Sequence, residues 1–201
     1  MNKNALIIIA KYPEKGKVKT RVRGLSDDQR VELYKKLLTL TMKKLSSIPA
    51  IDTFIAFAPE SAEEYFTHFG IKLIPLPERD LGAGMFRAFE RVFSAGYKKA
   101  ALVGADIPDL SPSIVLNAID LLSTHDLVFG PAADGGYYLV GMRKLIKEVF
   151  EDVPWSSDQT LKKSLDQSKK FNYSIGFTVT LRDIDTIEDI KKTGLLKSLI
   201  T

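Results

Sequence analysis

The chain has 201 residues, 45% hydrophobic and 27% charged, which is the composition of an ordinary globular protein that can bury one substantial core. Its 29 basic and 25 acidic residues give a net charge of +4. Without a polybasic block this mild excess does not indicate a nucleic-acid-binding protein. There is no cysteine, which excludes disulfides, thiolate metal sites and a cysteine nucleophile.

No apolar run approaches the length of a membrane span, and the apolar start at residues 5–10 is too short for a signal peptide. We therefore expect a cytoplasmic protein, with one domain over residues 1–201. His68 and His125 lie far apart in polar surroundings, so a histidine-based zinc site is not expected. If a metal binds, its ligands must be oxygens, which favours Mg²⁺ or Mn²⁺.

Strands alternate with helices along the whole chain. Strands are predicted at residues 5–10, 53–58, 71–75, from 101, at 126–130, after the turn at 134, and at 173–181. Helices are predicted at residues 26–46, 61–69, 81–95, 111–122, from a cap near Ser157, and at 186–197. The segment after residue 134 is expected to run antiparallel to the rest. The alternation predicts an α/β protein, a three-layer α/β/α sandwich around a mostly parallel sheet.

The stretch ALVGADIPDL, residues 101–110, reads as a buried strand that delivers Asp106 onto a tight turn. In open parallel sheets, ligands bind beyond the carboxyl ends of the strands, which is where such a turn lies. We therefore predict that Asp106 holds a metal ion. The alternative is that its carboxylate caps the turn by accepting backbone N–H groups.

The loop that follows the first strand carries five cations, one glycine and one proline in residues 11–21. Such a loop can bind phosphate through backbone N–H groups and positive side chains, and we select Lys11, Lys19 and Arg21. It has neither the P-loop nor the dinucleotide-binding spacing. The alternatives are a solvated cationic loop, and surface ion pairs made by Arg21 and Arg23.

Further carboxylates follow or end apolar strands, so they could converge on one ion although they are distant in sequence. They are Asp109, Asp134, Asp183 and Asp185. Asp183 and Asp185 could instead cap the last helix, a role that Thr186 could also take. Asp134 precedes Gly135 and could simply form a turn.

Two glycine-containing turns could let a flat ligand approach the backbone. One holds Gly82 and Gly84, and the other Gly135 and Gly136. Either turn could equally be an ordinary connection between two elements. Tyr137 and Trp155 could stack on a base or sugar, although a lone tryptophan is more often a core or lid residue.

Five motifs together resemble the bacterial and archaeal "transferase 1" glycosyltransferases of GT-A type, in the nucleotide-diphospho-sugar transferase superfamily. They are K-x-P-x-x-G-x-V-K-T-R (11–21), L-G-x-G-M (81–85), G-A-D-I-P-D-L (104–110), G-P-A-A-D-G-G-Y-Y-L-V-G (130–141) and P-W-S-S (154–157). The resemblance spans nearly the whole chain in the right order. It implies a nucleotide over the first loop, with Lys11 and Arg21 near its phosphates. The full set of nucleotide-binding candidates is Lys11, Gly16, Lys19, Thr20, Arg21, Gly82, Gly84, Gly135 and Gly136.

The same resemblance implies that Asp106 is a metal ligand. The segment D-I-D-T-x-E-D (183–189) is similar to one that supplies a second ligand in related cytidylyltransferases, which carries over to Asp185 and less surely to Asp183. The usual G-G-x-G-x-R loop of nucleotidylyltransferases is absent, so the identity of the base does not carry over.

The expected activity is metal-dependent transfer from a nucleotide-activated donor, with a nucleotide or nucleotide-sugar and a small-molecule acceptor as partners. In glycosyl transfer, Asp106, Lys19 and Asp134 are the catalytic candidates, with Asp134 binding the acceptor or acting as its base. Nucleotidyl transfer with release of pyrophosphate is the alternative. A non-catalytic nucleotide-binding module is a second alternative, and assembly into a homo-oligomer stays open.

Overall fold

The computed structural model describes residues 3–77, 80–182, 184, 186 and 189–190. Within them lie seven strands: β1 (Asn4–Lys11), β2 (Ile51–Ala58), β3 (Lys72–Pro75), β4 (Lys99–Gly104), β5 (Leu127–Pro131), β6 (Tyr137–Met142) and β7 (Ile175–Phe177). The five α-helices described are α1 (Asp27–Leu45), α2 (Glu63–Thr67), α3 (Leu81–Ser94), α4 (Pro112–Leu121) and α5 (Thr160–Lys170). Of these helices, none is long and apolar enough to cross a membrane.

The seven strands form one sheet in the order β3-β2-β1-β4-β6-β5-β7. β1 lies at its centre and pairs in parallel with β2 and β4, so that Lys11 stands opposite Ala58 and Ile9 opposite Gly104. β6 is antiparallel to both β4 and β5. The expected antiparallel segment is thus confirmed. The carboxyl ends of β1, β2, β3 and β4 meet at one edge of the sheet, the ligand-binding edge of open parallel sheets.

Helices cover both faces of the sheet. Alternate residues of β1 face opposite ways: Leu6 and Ile8 pack in the core that holds α1 and α4, whereas Ala5 and Ile7 pack in the core that holds α3. This burial on both sides explains the continuous apolar run at the start of the chain. The predicted three-layer α/β/α sandwich is confirmed.

Most predicted elements are present, with shifts at their ends. α1 begins with the predicted capping box, in which Ser26 and Gln29 bond each other's backbone N–H groups. The helix expected from Ser157 starts instead at Thr160, because the Ser157 hydroxyl accepts the Gln159 N–H in a tight turn. The strand expected over 173–181 is regular only over β7, and the Tyr138 hydroxyl donates to the Val179 carbonyl just beyond it.

The predicted closing helix, residues 186–197, lies largely outside the described residues. Its start is described: the Thr186 hydroxyl accepts the Asp189 N–H at 3.2 Å, and Asp189 accepts the Thr186 N–H at 2.9 Å. Thr186 therefore caps this turn, as the sequence had suggested for it.

Asp126 joins the start of β5 to the neighbouring strands, and its ionised carboxylate should therefore contribute to the stability of the fold. Its carboxylate accepts two bonds from the Arg143 guanidinium and two from Ser174. Burial alone would raise the pKa of Asp126, but these bonds outweigh it and hold the pKa at about 2. Since the unfolded value is near 3.9, the stabilisation is complete above about pH 4 and is lost as the pH falls towards 2.

We expect Asp126→Asn to lower the free energy of unfolding at pH 7 by about 1–3 kcal/mol, the usual effect of a charged hydrogen bond. The difference from the wild type should shrink between about pH 4 and pH 2. Urea unfolding at several pH values measures it, with Asp120→Asn on the exposed side of α4 as the control. A difference that is the same at pH 7 and pH 2.5 would contradict the role of the ionised carboxylate.

Candidate functional site

A cleft of about 420 Å³ lies along the carboxyl edge of the first four strands of the sheet order. Its lining comes from the ends of β1, β2 and β4, from the loop after β1, from the segment after β3, and from the first turn of α3. In parallel α/β sheets this is the position where ligands bind. The cleft therefore occupies the part of the fold that the sequence indicated.

Asp106 and Lys19 form the central pair of the cleft. Asp106 stands two residues beyond β4, and its Oδ2 atom accepts a hydrogen bond from Lys19 Nζ at 2.6 Å. The same ammonium donates to the Ile184 carbonyl at 2.8 Å. The Lys19 side chain is only 5% exposed, whereas the Asp106 side chain is 34% exposed. The buried Lys19 side chain thus has two hydrogen-bond acceptors, and Asp106 still presents a carboxylate oxygen to the cleft.

The backbone around this pair is held in an unusual form. Lys19 has a φ of +49°, in the left-handed region that non-glycine residues seldom adopt. The turn that carries Asp106 is fastened from α1, because the Thr41 hydroxyl donates to the Ala105 carbonyl and Lys44 donates to the Pro108 carbonyl. Strained backbone of this kind persists where surrounding contacts enforce it, and it concentrates at functional sites.

Lys11 and Tyr34 also line the polar end of the cleft. The Lys11 N–H donates to the Tyr34 hydroxyl at 2.9 Å, and the exposed Lys11 side chain lines the cleft. Burial raises the pKa of Tyr34 well above its usual value, and the nearby Asp106 carboxylate adds to the rise. Tyr34 therefore stays a neutral phenol. Tyr34 was not among the site residues selected from the sequence.

The opposite end of the cleft is apolar. Its walls are Ala58 at the end of β2 and Leu76 and Pro77 just beyond β3. From β4 to β3 the sheet edge crosses three strand spacings, or about 14 Å. Asp80 and Gly84 of the α3 start line the cleft as well. Sequence reasoning did not select Asp80, although it directly precedes the L-G-x-G-M motif.

Arg21 is turned towards a different partner, the segment 154–157. Its Nη2 atom donates to the Ser156 carbonyl at 2.8 Å, and it is not among the residues that line the cleft. The bond ties the cationic loop to the P-W-S-S motif, whose tryptophan packs on the N-terminal turn of α3. Trp155 covers Gly82, with indole atoms only 2.6 Å from the point where a Cβ would stand. The absence of a side chain at Gly82 therefore makes room for the Trp155 ring.

Gly82 and Gly84 make a matched pair for a stability measurement. A methyl group at Gly82 would collide with the Trp155 ring, so we expect Gly82→Ala to destabilise the fold by about 1–3 kcal/mol. A methyl group at Gly84 would meet only Leu76, at an ordinary 3.6 Å, so Gly84→Ala should gain up to about 1 kcal/mol of helix propensity. Urea unfolding of both variants tests this. Equal effects at the two positions would contradict the Trp155 contact.

Asp134, Gly135 and Gly136 form the turn between β5 and β6. Asp134 Oδ1 accepts the Gly136 N–H at 2.9 Å, and Gly135 has a φ of +90°. A Cβ at Gly135 would lie 2.3 Å from the Asp158 carbonyl oxygen, so a glycine is needed there. This turn-forming role had been the alternative for Asp134. The side chain is exposed and is not among the residues that line the cleft.

Five further residues selected from the sequence either do not line the cleft or lie outside the described residues. Gly16 and Thr20 are exposed members of the loop after β1, and Gly16 has a φ of +73°. Asp109 is exposed and does not line the cleft. Asp183 and Asp185 lie outside the described residues, on either side of Ile184. The structure thus brings together Lys11, Lys19, Asp106 and Gly84, and places Arg21, Gly82 and the turn of Asp134 in neighbouring roles.

A divalent cation fits the donor set of the cleft in part. Among the described residues there is no group of three acidic or histidine side chains that could hold a metal. Mg²⁺, however, commonly takes only one or two carboxylates and completes its shell with phosphate oxygens and water. Asp106 offers one such carboxylate, with an oxygen not used by Lys19. The Ile184 carbonyl accepts a bond from the Lys19 ammonium, which also bonds to Asp106, and Asp185 is the next residue in the sequence.

Several solved structures share this fold. A protein from Desulfovibrio desulfuricans G20, provisionally assigned as a nucleotide-diphospho-sugar transferase, is 27% identical with a TM-score of 0.88, over 98% of this chain and 90% of that one. CMP:2-keto-3-deoxy-manno-octonic acid synthetase complexed with CTP is 13% identical with a TM-score of 0.58, over 99% and 100% of the two chains. Rv0371c of Mycobacterium tuberculosis H37Rv, in complex with manganese, is 14% identical with a TM-score of 0.60, over 96% and 97%.

The chain thus has the fold of nucleotide-using transferases. A comparison with curated protein sequences gave no significant match. Residues 41–157, which run from the second half of α1 to the P-W-S-S motif, match the sequence profile of one family. The chain belongs to that family, described as uncharacterized protein conserved in bacteria (DUF2064).

Proposed function

We propose that the protein is a metal-dependent transferase that uses a nucleotide-activated donor, and that it transfers a glycosyl group from a nucleotide-diphospho-sugar to a small acceptor, as in the "transferase 1" group. One observation carries the proposal. At the carboxyl edge of the sheet Lys19 pairs with Asp106 and Lys11 lines the same cleft, and the walls at the other end of the cleft are apolar. A diphosphate needs the cations, and a flat base needs the apolar walls.

In this proposal each group has a separate task. Lys11 and Lys19 bind the diphosphate and stabilise the charge that grows on it as it leaves. Asp106, with Asp185 as the proposed second ligand, would hold Mg²⁺ or Mn²⁺, which when bound neutralises phosphate charge. Asp134 lies on the β5–β6 turn at the same edge of the sheet, and it would orient the acceptor or accept its proton.

In this proposal the acceptor would enter the cleft from the side of residues 154–157, the segment that contains Trp155. Arg21 bonds to Ser156 of this segment, and the Gly135 carbonyl accepts the Leu161 N–H at the start of α5, shortly after it. The first loop and the β5–β6 turn are therefore both fastened close to residues 154–157. These bonds would hold this side of the cleft in a fixed position, so that the acceptor is oriented against the donor, as a transfer reaction requires.

A thermal-shift panel of nucleosides, nucleoside diphosphates and nucleotide-sugars, with and without Mn²⁺, tests the proposal. Ligands that bind only the native state raise its melting temperature. We expect a rise with a diphosphate-containing ligand that is larger with Mn²⁺, and no rise with nucleosides at equal concentration. The alternative of nucleotidyl transfer predicts release of pyrophosphate from a nucleoside triphosphate, which ³¹P NMR distinguishes from release of a nucleoside diphosphate. Binding without turnover of any donor would indicate a binding module.

A further inference from the structure

Among the described residues, Asp80 is a charged group at the apolar end of the cleft. Two acidic side chains line the cleft in the described part of the chain, Asp80 and Asp106. Asp106 lies at the end of the cleft that also holds Lys19. Different elements hold the two carboxylates: Asp106 follows β4, whereas Asp80 begins α3, whose Gly84 lies against Leu76 at the apolar end of the cleft. Under the function proposed above, on which this inference rests, Asp80 therefore lies beside the base and not beside the phosphates.

Asp80 is held in a fixed orientation by the helix that it begins. Its Oδ1 atom accepts the Ala83 N–H at 3.0 Å, and its carbonyl accepts the Gly84 N–H at 3.0 Å. The N-terminal end of α3 also favours a negative charge at this position. A carboxylate offers about four acceptor positions, and capping uses one of them. The group that remains available to a ligand is thus a pure hydrogen-bond acceptor.

A pure acceptor distinguishes the bases by their hydrogen-bonding edges. Guanine presents two adjacent donors, N1–H and the N2 amino group, which can engage a carboxylate with two parallel bonds. Adenine and cytosine place an acceptor ring nitrogen beside their amino group, and a carboxylate repels that nitrogen. Uracil has a single N–H between two carbonyl oxygens. The walls formed by Ala58, Leu76 and Pro77 supply apolar surface for any base, so they do not select among them.

We propose that the cleft is specific for a guanine nucleotide and that Asp80 is the residue that determines this specificity. The donor would then be a guanosine diphosphate sugar, or GTP if the reaction is nucleotidyl transfer. Asp80 takes no part in the chemistry at the phosphates.

The substitution Asp80→Asn tests this with little risk to the fold, because asparagine is as good an N-cap as aspartate. It replaces one acceptor oxygen with an amide donor. Xanthine differs from guanine by a carbonyl in place of the N2 amino group, so its edge pairs with an amide and not with a carboxylate. Calorimetry with GDP, XDP, ADP, CDP and UDP, each with Mn²⁺, measures the preference. Glu90→Gln, on the same helix but outside the cleft lining, is the control.

The wild type should bind GDP at least about tenfold more tightly than the other four. Asp80→Asn should lose about tenfold or more in GDP affinity and gain affinity for XDP, while Glu90→Gln behaves as the wild type. A gain cannot arise from partial unfolding. Tight binding of another nucleotide that depends on Asp106 but not on Asp80 would overturn the inference and leave the proposed function intact. Binding of no nucleotide at all would overturn both.

Discussion

Replacement of Asp106 by asparagine is expected to abolish the effect of Mn²⁺ on nucleotide binding. The amide keeps the size of the side chain and can still accept a bond from Lys19, but it removes the charge that a divalent cation needs. Loss of a partner in the outer shell of a metal site already costs about 10–100-fold in affinity, so loss of a direct ligand should cost at least as much. Calorimetry of the nucleoside diphosphate with and without Mn²⁺ measures the change.

Asp109→Asn is the matched control for this substitution. Asp109 lies three residues along the same turn, but it is exposed and does not line the cleft. Both variants should unfold within about 1 kcal/mol of the wild type, because the Asp106 carboxylate is one-third exposed and water can replace much of its ion pair. If Asp106→Asn keeps the full Mn²⁺ dependence, Asp106 is not a metal ligand.

Lys19→Met should weaken binding of a nucleoside diphosphate by about 10–100-fold, the loss expected for one or two charged hydrogen bonds to phosphate. Binding of the corresponding nucleoside, which lacks phosphate, should change little. Methionine fills a similar volume along the buried stem, so the comparison isolates the ammonium group. Calorimetry of both ligands gives the ratio of their affinities.

Lys15→Met provides the control for Lys19→Met. Lys15 belongs to the same loop, but it is paired with Asp28 on the surface and both side chains are largely exposed. Such pairs contribute little to stability or to a distant site. Equal losses for the diphosphate and the nucleoside in Lys19→Met would show that Lys19 shapes the cleft without contacting phosphate.

The fold was predictable because its signals are local. The capping box at Ser26 and the buried run of β1 depend on neighbouring residues, and both were found where the pattern placed them. The antiparallel β6 was also recognised from its position after a glycine turn. The boundaries that moved, at α5 and β7, did so where side-chain bonds of Ser157 and Tyr138 compete with regular backbone pairing.

The site was predictable only in outline because its contacts join distant parts of the chain. Strand ends correctly indicated that Asp106 and the first loop meet, but their direct ion pair spans 87 positions. The contact of Trp155 with Gly82 and the entry of Asp80 into the cleft depend on how α3 packs. Propensity and spacing carry no information about such tertiary contacts.

The bond from Lys19 to the Ile184 carbonyl makes the cleft depend on a segment that lies outside the sheet. The seven described strands all lie within residues 4–177, so Ile184 follows the whole sheet in the sequence. Ile184 and Ile190 also pack against Val22, Leu33 and Leu37 beneath the first loop. Without residue 184 the strands would remain, but the Lys19 ammonium would keep Asp106 and lose its second acceptor. Binding competence would therefore depend on the docking of Ile184 and Ile190 onto the scaffold formed by the residues before them.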